Sequence, residues 1–391
     1  MTGHSPTTEA GVIAAVAAAR AAKTPLRIVG GGTRQTIGRP VAAPATLSLA
    51  GLTGITLYEP AEMVIGARAG TPLAEVEAAL AEKGQMLPFE PVDHRGLLGT
   101  VGTPTIGTIA AGNLSGPRRI SAGAARDSLI GVRFVNGKGE AIKAGGRVMK
   151  NVTGLDLVKL QSGAWGTLGP LTEVIFKVLP RPETARTLLI RGLDDARAVA
   201  ALSAALTTPF EVSGAAHLPK GADSVTLMRI EGFAPSLAYR GAALAGLLRP
   251  YGAVETLEAA ETATLWQGLA ALSPLAGAGA TLAVWRLSVR PSDGPATVAE
   301  IGRTVAIAGH YYDWGGGLVW LAVPAEGDGG AFAIRGAVAA RGGHATLIHA
   351  PADLRAAVPV FHPEGEALGR LSEGLRRSVD PDRLFNPGLM G

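Results

Sequence analysis

Two stretches with almost no side-chain bulk carry the clearest chemical signal in this chain. The first, "RIVGGGTRQTIGRP", runs from residue 27 to 40 and sets Gly30, Gly31, Gly32, Thr33 and Arg34 behind a short strand ending at Val29. Glycines in series expose backbone N–H groups, which suits a phosphate. A Walker loop needs lysine and a hydroxyl residue after its last glycine, but Gly38 is followed by Arg39 and Pro40. A dinucleotide fingerprint begun at Gly30 would need glycine at Gln35, and Pro40 interrupts the helix it would open. The plain alternative is a glycine turn in a chain with 54 glycines. The second stretch, residues 99–127, contains Thr105, Gly107, Thr108, Ala110, Ala111, Gly112, Asn113, Ser115 and Gly116. It reads as too long for a turn and too poor in side chains for a packed helix, so a large flat cofactor should lie against it. Two such loops can grip a diphosphate from both sides. A third segment, 145–182, has a Gly-Thr-Leu-Gly turn at 166–169 feeding a strand with Glu173 and Ile175. The edge of that strand could meet an adenine through its backbone.

Composition narrows what such a cofactor could do. The chain has 391 residues, 47% hydrophobic and 17% charged, enough for two globular domains. Net charge is +4, yet the basic residues are scattered and aromatics make up 5%, which argues against nucleic acid. There is no cysteine, hence no disulfide, no thiolate zinc site and no cysteine-bound iron–sulfur cluster in this chain. Any electrons it handles need an organic cofactor and a recipient elsewhere. The apolar "AGVIAAVAAARAAK" lacks a preceding basic region and carries Arg20 and Lys23, so it reads as a helix rather than a signal peptide. The uncharged run between Glu261 and Arg286 is broken by Gln267, Ser273 and Pro274 and reads as helix, loop and strand, not a membrane span. A cytoplasmic protein is expected, peripheral to the inner membrane only through partners.

The elements that must position these stretches follow from periodicity. Helix 8–23 leads to strand 26–29, with strands near 45–49, 54–58 and 63–67 after the glycine loop. In helix 71–84, Thr71 is the expected cap and Pro72 the first residue. "IGVRFVNGKGEAIKAG" alternates about Asn136-Gly137, a hairpin with a turn dipeptide at its tip. Strand 171–180 is followed by "PRPET", which places a domain boundary near 181. Residues 182–365 mix Ala/Leu-rich helices with strands such as "TLAVWRLSV" and "GLVWLAV", an α+β domain with a mostly antiparallel sheet. Residues 366–391 end in the loop "DPDRLFNPGLMG", anchored by its aromatic and proline residues.

Taken in order, Gly30–Thr33, the run 105–116, "KN-x-TG-x-D" with "G-x-W-G-TLG-x-LTE" at 150–173, and "NPG" at 386–388 resemble the vanillyl-alcohol oxidase / p-cresol methylhydroxylase flavoprotein family. "SGPRR", "RDSLIGV", "VMKNVTG", "YYDWGGGLVWL" and "FNPGLM" are similar to one branch, the smaller flavin subunits of bacterial glycolate oxidases. The resemblance implies an α+β fold: a two-subdomain FAD-binding domain over 1–181, an α+β cap over 182–365, and a tail that returns to the FAD domain. It implies noncovalent FAD. Val29, Gly30, Gly31, Gly32, Thr33 and Arg34 would hold the pyrophosphate, and Thr105, Gly107, Thr108, Gly112, Asn113, Ser115 and Gly116 would line the ribityl and ring region. Asp127 would fix the loop or the ribose, and the Ile175 backbone would meet the adenine. Two positions depart from the pattern: Thr108 stands where the family has a second glycine, and Leu155 where the branch has tyrosine. The function implied is oxidation of glycolate, a 2-hydroxy acid, beside a catalytic flavin subunit and an iron–sulfur subunit. A stand-alone 2-hydroxy-acid dehydrogenase and a non-redox scaffold are the alternatives. The related cell-wall enolpyruvyl reductase would lack the "NPG" tail.

Such an oxidation needs a cation for the carboxylate, a base for the hydroxyl proton and a flavin for the hydride. The larger catalytic relatives use a histidine-and-carboxylate metal cluster. Here "HYYDWGGGLVWLAV" keeps His310 and Asp313 but has the wrong spacing and lacks the second histidine, so no metal is expected. His344 and His349 read as ordinary strand or loop histidines, and His94 as a loop or surface residue rather than a flavin link. Arg286, flanked by Trp285 and Leu287, points opposite those neighbours, toward a substrate pocket or toward solvent. Among Arg118, Arg119 and Lys150, one would stabilise charge on the reduced flavin and the others meet phosphate or solvent. Arg286, Lys150 and Arg119 are thus the candidate catalytic residues. Tyr311, Tyr312 and Trp314 either cover the flavin ring or belong to the core.

Overall fold

The computed structural model describes residues 2–146 and 155–390 and shows an α+β chain. Its first sheet is parallel, with Ala45–Ser48 between Thr2–His4 and Leu26–Val29. Helix Glu9–Ala21 covers this sheet. Thr8 caps it by accepting from the Gly11 N–H at 3.1 Å, and Val12, Ala15, Val16 and Ala19 form its buried face. A five-stranded antiparallel sheet follows, in the order Ile55–Glu59, Val64–Arg68, Leu171–Lys177, Leu129–Val135, Ala141–Gly145.

Beyond Pro180 the chain enters an eight-stranded antiparallel sheet. Its order is Val254–Leu257, Thr184–Arg191, Val225–Gly232, Val212–Leu218, Gly309–Asp313, Leu318–Pro324, Leu282–Ser288, His344–His349. The two-residue alternation of its strands serves two cores. Leu188, Met228, Tyr312 and Trp285 face helices that include Asp195–Leu206, Ala234–Leu248 and Ala331–Ala339. Leu189, Leu227, Tyr311 and Val284 face the first half of the chain, in one cluster with Phe89, Phe134 and Phe176. The apolar core therefore runs unbroken from one half to the other.

The tail returns to the first sheet. Leu26 N–H donates to Leu384 O at 2.7 Å and Asn386 N–H to Leu26 O at 2.9 Å, with Phe385 bridging parallel to Leu26. The preceding helix Glu366–Val379 buries no side chain and leaves Leu368 and Leu371 exposed. Among the described residues, no helix is long and apolar enough to cross a membrane.

Local expectations fail at four places. Residues 106–112 do form a helix, Ile106–Gly112, because its small residues let it sit directly against the sheet: a Cβ on Gly107 would lie 2.6 Å from Ala69 O. The helix after Pro72 spans Leu73–Glu82, and Thr71 does not cap it; its hydroxyl is engaged by Gly54 and Arg68. The hairpin tip is five residues long and is closed by Asn136 Oδ1, which accepts from Lys138 and Glu140 N–H, with the left-handed turn at Gly139. Ile175 sits on no edge, since its strand pairs with Gly66 on one side and Gly131 on the other. Its backbone is therefore committed to the ladder.

Candidate functional site

At the end of strand Leu26–Val29 the chain turns through Gly30, Gly31 and Gly32 directly onto residues 102–108. A Cβ on Gly30 would lie 2.3 Å from Thr108 Oγ1 and 2.8 Å from Thr105 Oγ1. One on Gly31 would lie 1.7 Å from Thr103 O, and one on Gly102 would lie 2.0 Å from Gly31 O. Thr103 N–H donates to Gly31 O at 2.9 Å, so the two low-bulk stretches are joined backbone to backbone. Only glycine fits such an approach. Between them opens a cavity of about 110 Å³ that is continuous with solvent. Val29, Gly30, Gly32 and Thr33 line one wall, and Thr105, Gly107 and Thr108 the other. Gly31 lines an adjoining recess with Gly102 and Thr103. Thr108, the departure from glycine, is held by a 2.9 Å contact between its hydroxyl and that of Thr105.

A second cavity of about 260 Å³ lies where the eight-stranded sheet meets this half. Trp165 lines both cavities, so they adjoin at that residue. Gly112, Asn113, Ser115 and Arg119 contribute from the first half, and Arg286, Ser288, His344 and Thr346 from the sheet. Asn113, in the left-handed region at φ 49°, accepts from Arg126 N–H at 2.9 Å, and Ser115 Oγ from Ala125 N–H at 2.8 Å. Those bonds pin the loop. Gly116 has Glu90 O where a Cβ would go, and its carbonyl accepts from Trp314 Nε1 at 3.1 Å.

Charge gathers around Trp314. The Arg119 and Arg286 guanidiniums lie 4.6 Å and 5.0 Å from its ring centroid. Of the two environments open to Arg286, the structure takes the cavity. Burial, with Arg119 next to it, brings the Arg286 pKa down to about 10, so it remains cationic at neutral pH. Burial lowers Arg119 as well. Neither guanidinium has a hydrogen-bond partner among the described residues. Arg118, by contrast, is ion-paired with Glu231 inside a network in which Arg229 donates to both Glu90 oxygens at 2.9 Å.

The remaining candidates separate by strand face. His310 and Asp313 point to opposite sides of one strand: His310 Nε2 lies 2.9 Å from Asp195 Oδ2, to which Tyr312 also donates at 2.7 Å. Asp313 is 4% exposed, accepts from Trp314 N–H, and is raised by burial to about 7. Among the described residues no three His, Asp or Glu side chains gather as a metal ion would need. Tyr311 and Tyr312 are core residues, and only Trp314 reaches the arginine pair. His349 is bound to Gly279 O, whereas His344 lines the second cavity; burial, then Arg286, lowers its pKa.

Several expectations need correction. The Arg34 side chain turns inward, donating to His94 Nδ1 at 3.2 Å, Thr33 Oγ1 at 2.9 Å and Val92 O at 2.8 Å, which uses three of its five N–H donors while it also lines the first cavity. His94 is not at the surface but 2% exposed, against the second cavity. Asp127 takes the loop role, accepting from Ala124 N–H at 2.8 Å. Lys150 lies outside the described residues. Two residues went unread. Trp165 holds φ 52° between Ala164 and Gly166, and Asn386 accepts from Ile28 N–H at 2.8 Å while donating to Trp165 O at 2.9 Å. The signal for the second was the "NPG" tripeptide, seen as a motif without a task.

Comparison with known proteins agrees with this geometry. An FAD binding domain model matches residues 4–145, which include both walls of the first cavity. The chain is 37% identical over 370 residues to glycolate oxidase subunit GlcE of Escherichia coli (strain K12), spanning 94% of this chain and 93% of that protein. It is 33% identical over 183 residues to glycolate oxidase subunit GlcD of Bacillus subtilis (strain 168), spanning 46% of this chain and 36% of the relative. An alkyldihydroxyacetonephosphate synthase structure matches with a TM-score of 0.69 at 14% identity, over 98% of this chain and 75% of that one, a likeness of fold alone. With its FAD cofactor site and a match along nearly its whole length, the chain belongs to the FAD-binding family that includes glycolate oxidase subunit GlcE.

Proposed function

We propose that this chain is the FAD-binding subunit of a multi-subunit glycolate oxidase. It takes part in oxidising glycolate to glyoxylate, with electrons passed to an iron–sulfur subunit and a catalytic flavin subunit alongside. The observation that carries this reading is the contact of Gly30 and Gly31 with Thr103, Thr105 and Thr108, a cradle any Cβ would fill. Val29, Gly30, Gly31, Gly32, Thr33 and the Arg34 backbone would hold the diphosphate of a noncovalent FAD. Thr105, Gly107 and Thr108 face it, and Gly112, Asn113, Ser115 and Gly116 serve the ring end. FAD, when bound, supplies the two-electron acceptor.

The chain's own residues supply part of the substrate site, which the partner subunits complete. Arg286 and Arg119, cationic and without carboxylate partners among the described residues, hold the substrate carboxylate in the second cavity. His344, kept uncharged by burial and by those guanidiniums, is an acceptor for the hydroxyl proton. Lys150, outside the described residues, stays a candidate for stabilising charge on the reduced flavin. A chain without cysteine holds no cysteine-bound cluster, so an iron–sulfur acceptor would belong to a partner.

The test is anaerobic titration of the purified chain with glycolate, alone and with its partner subunits. Yellow protein that bleaches only with partners supports the proposal. Bleaching of the isolated chain identifies a stand-alone dehydrogenase instead, and colourless protein that takes up no FAD identifies a scaffold.

A further inference from the structure

His94 is the residue of the second cavity whose chemistry is most tightly defined. It is 2% exposed, and its ring meets Trp320 edge-on with centroids 6.3 Å apart. Arg34 Nε donates to its Nδ1 at 3.2 Å. A guanidinium can only donate, so Nδ1 must accept and the ring proton resides on Nε2. Burial, with Arg34 and Arg286 nearby, keeps the imidazole far below its ordinary pKa and hence neutral. Among the described residues Nε2 has no partner. The result is an N–H donor open to the cavity that also holds Arg119 and Arg286, unable to act as a base.

We infer that His94 is a specificity-determining residue: it donates from Nε2 to the second oxygen, hydroxyl or keto, of a small carboxylate whose acid group is held by Arg286 and Arg119. Arg34 is its positioning residue. Since Arg34 also lines the first cavity, its fixed hydrogen bond ties the orientation of this donor to the loop that would bind the cofactor. A ligand that displaces water from this donor without offering it an acceptor leaves it unmatched, which is costly, so the site discriminates against carboxylates lacking the second oxygen. This inference rests on the proposed function and names the ligand class of the same site.

The test uses 2-hydroxyisobutyrate, which has no α-hydrogen to lose, against isobutyrate, with calorimetry on the flavin-loaded chain. Wild type should prefer the hydroxy acid by about tenfold, the worth of one buried hydrogen bond. The preference should be flat from about pH 6 to 9, because the donor does not titrate there. His94→Gln, which keeps an amide donor, should retain most of the preference. His94→Leu should abolish it while leaving isobutyrate binding within about threefold. Arg34→Gln, which frees the tautomer, should weaken it. Preference retained in His94→Leu, or lost equally in His94→Gln, overturns the inference. So does a preference that falls steeply across neutral pH. Absent flavin uptake sinks the functional reading instead, and is read separately from the visible spectrum of the same sample.

Discussion

Asn386 offers the sharpest stability test, because one side chain joins three segments. Its Oδ1 accepts from Ile28 N–H at 2.8 Å and its Nδ2 donates to Trp165 O at 2.9 Å, while the residue is 5% exposed with φ 44°. Gly166 leaves it room, since a Cβ there would lie 3.1 Å from Nδ2. Replacing it with alanine strands two partners at about 1–3 kcal/mol each. Holding alanine in the left-handed region adds about 1–2 kcal/mol. The sum, about 3–8 kcal/mol, is a large part of the 5–15 kcal/mol typical of folded proteins. Asn386→Gly removes the same hydrogen bonds without the backbone strain and should be about 1 kcal/mol milder. Urea unfolding followed by tryptophan fluorescence measures both, with FAD retention on gel filtration as a second readout. An Asn386→Ala loss below 1 kcal/mol, or a glycine variant no milder than alanine, would refute the tie.

Other expected outcomes lie on the same scale. Gly31→Ala drives a methyl into the Thr103 carbonyl at 1.7 Å, so FAD binding should fall at least a hundredfold, measured by flavin fluorescence titration. Arg229→Met leaves Glu90 and Glu231 without their shared cation and should cost about 3–5 kcal/mol in urea unfolding; a loss under 1 kcal/mol would contradict the network. Asp313, raised by burial from its ordinary 3.8 to about 7, binds its proton more tightly folded than unfolded. Its contribution is fully present below about pH 4 and is lost as pH rises through 7, by up to about 4 kcal/mol. Asp313→Asn should therefore gain on wild type between pH 4 and 8, and parallel stability profiles would reject the shift. Arg286→Leu should weaken carboxylate binding by at least tenfold in calorimetry while leaving FAD uptake unchanged.

Backbone chemistry was the legible part of the site. Gly31, Gly107 and Gly116 announce themselves because close backbone approach excludes every other residue type, a local demand that a one-dimensional sequence can express. Alternation in "TLAVWRLSV" likewise separates Trp285 from Arg286, although only the fold decides which face meets the cavity. Where partners are distant the reading failed. The sequence around Arg34 points to phosphate alone, and nothing in it shows that His94, Thr33 and Val92 take three of its five donors. His94 looked exposed because "PVDHRG" is polar and loop-like, and nothing nearby in sequence reveals that Trp320 covers it. Ile175 was set on an edge because strand order is a property of the assembled sheet. The small residues of 106–112 were denied a helix by a rule that weighs side-chain bulk, where the helix gains instead from seating close to Ala69.

The unbroken apolar layer beneath the eight-stranded sheet has a consequence for anyone dividing this protein. Severed after residue 181, the second piece would bare Trp266, Tyr311 and Trp320 to water, and the first would bare Phe89 and Val92. Each fragment would be prone to clumping when made alone. Produced together they should re-associate, and heating the intact chain should give a single melting step.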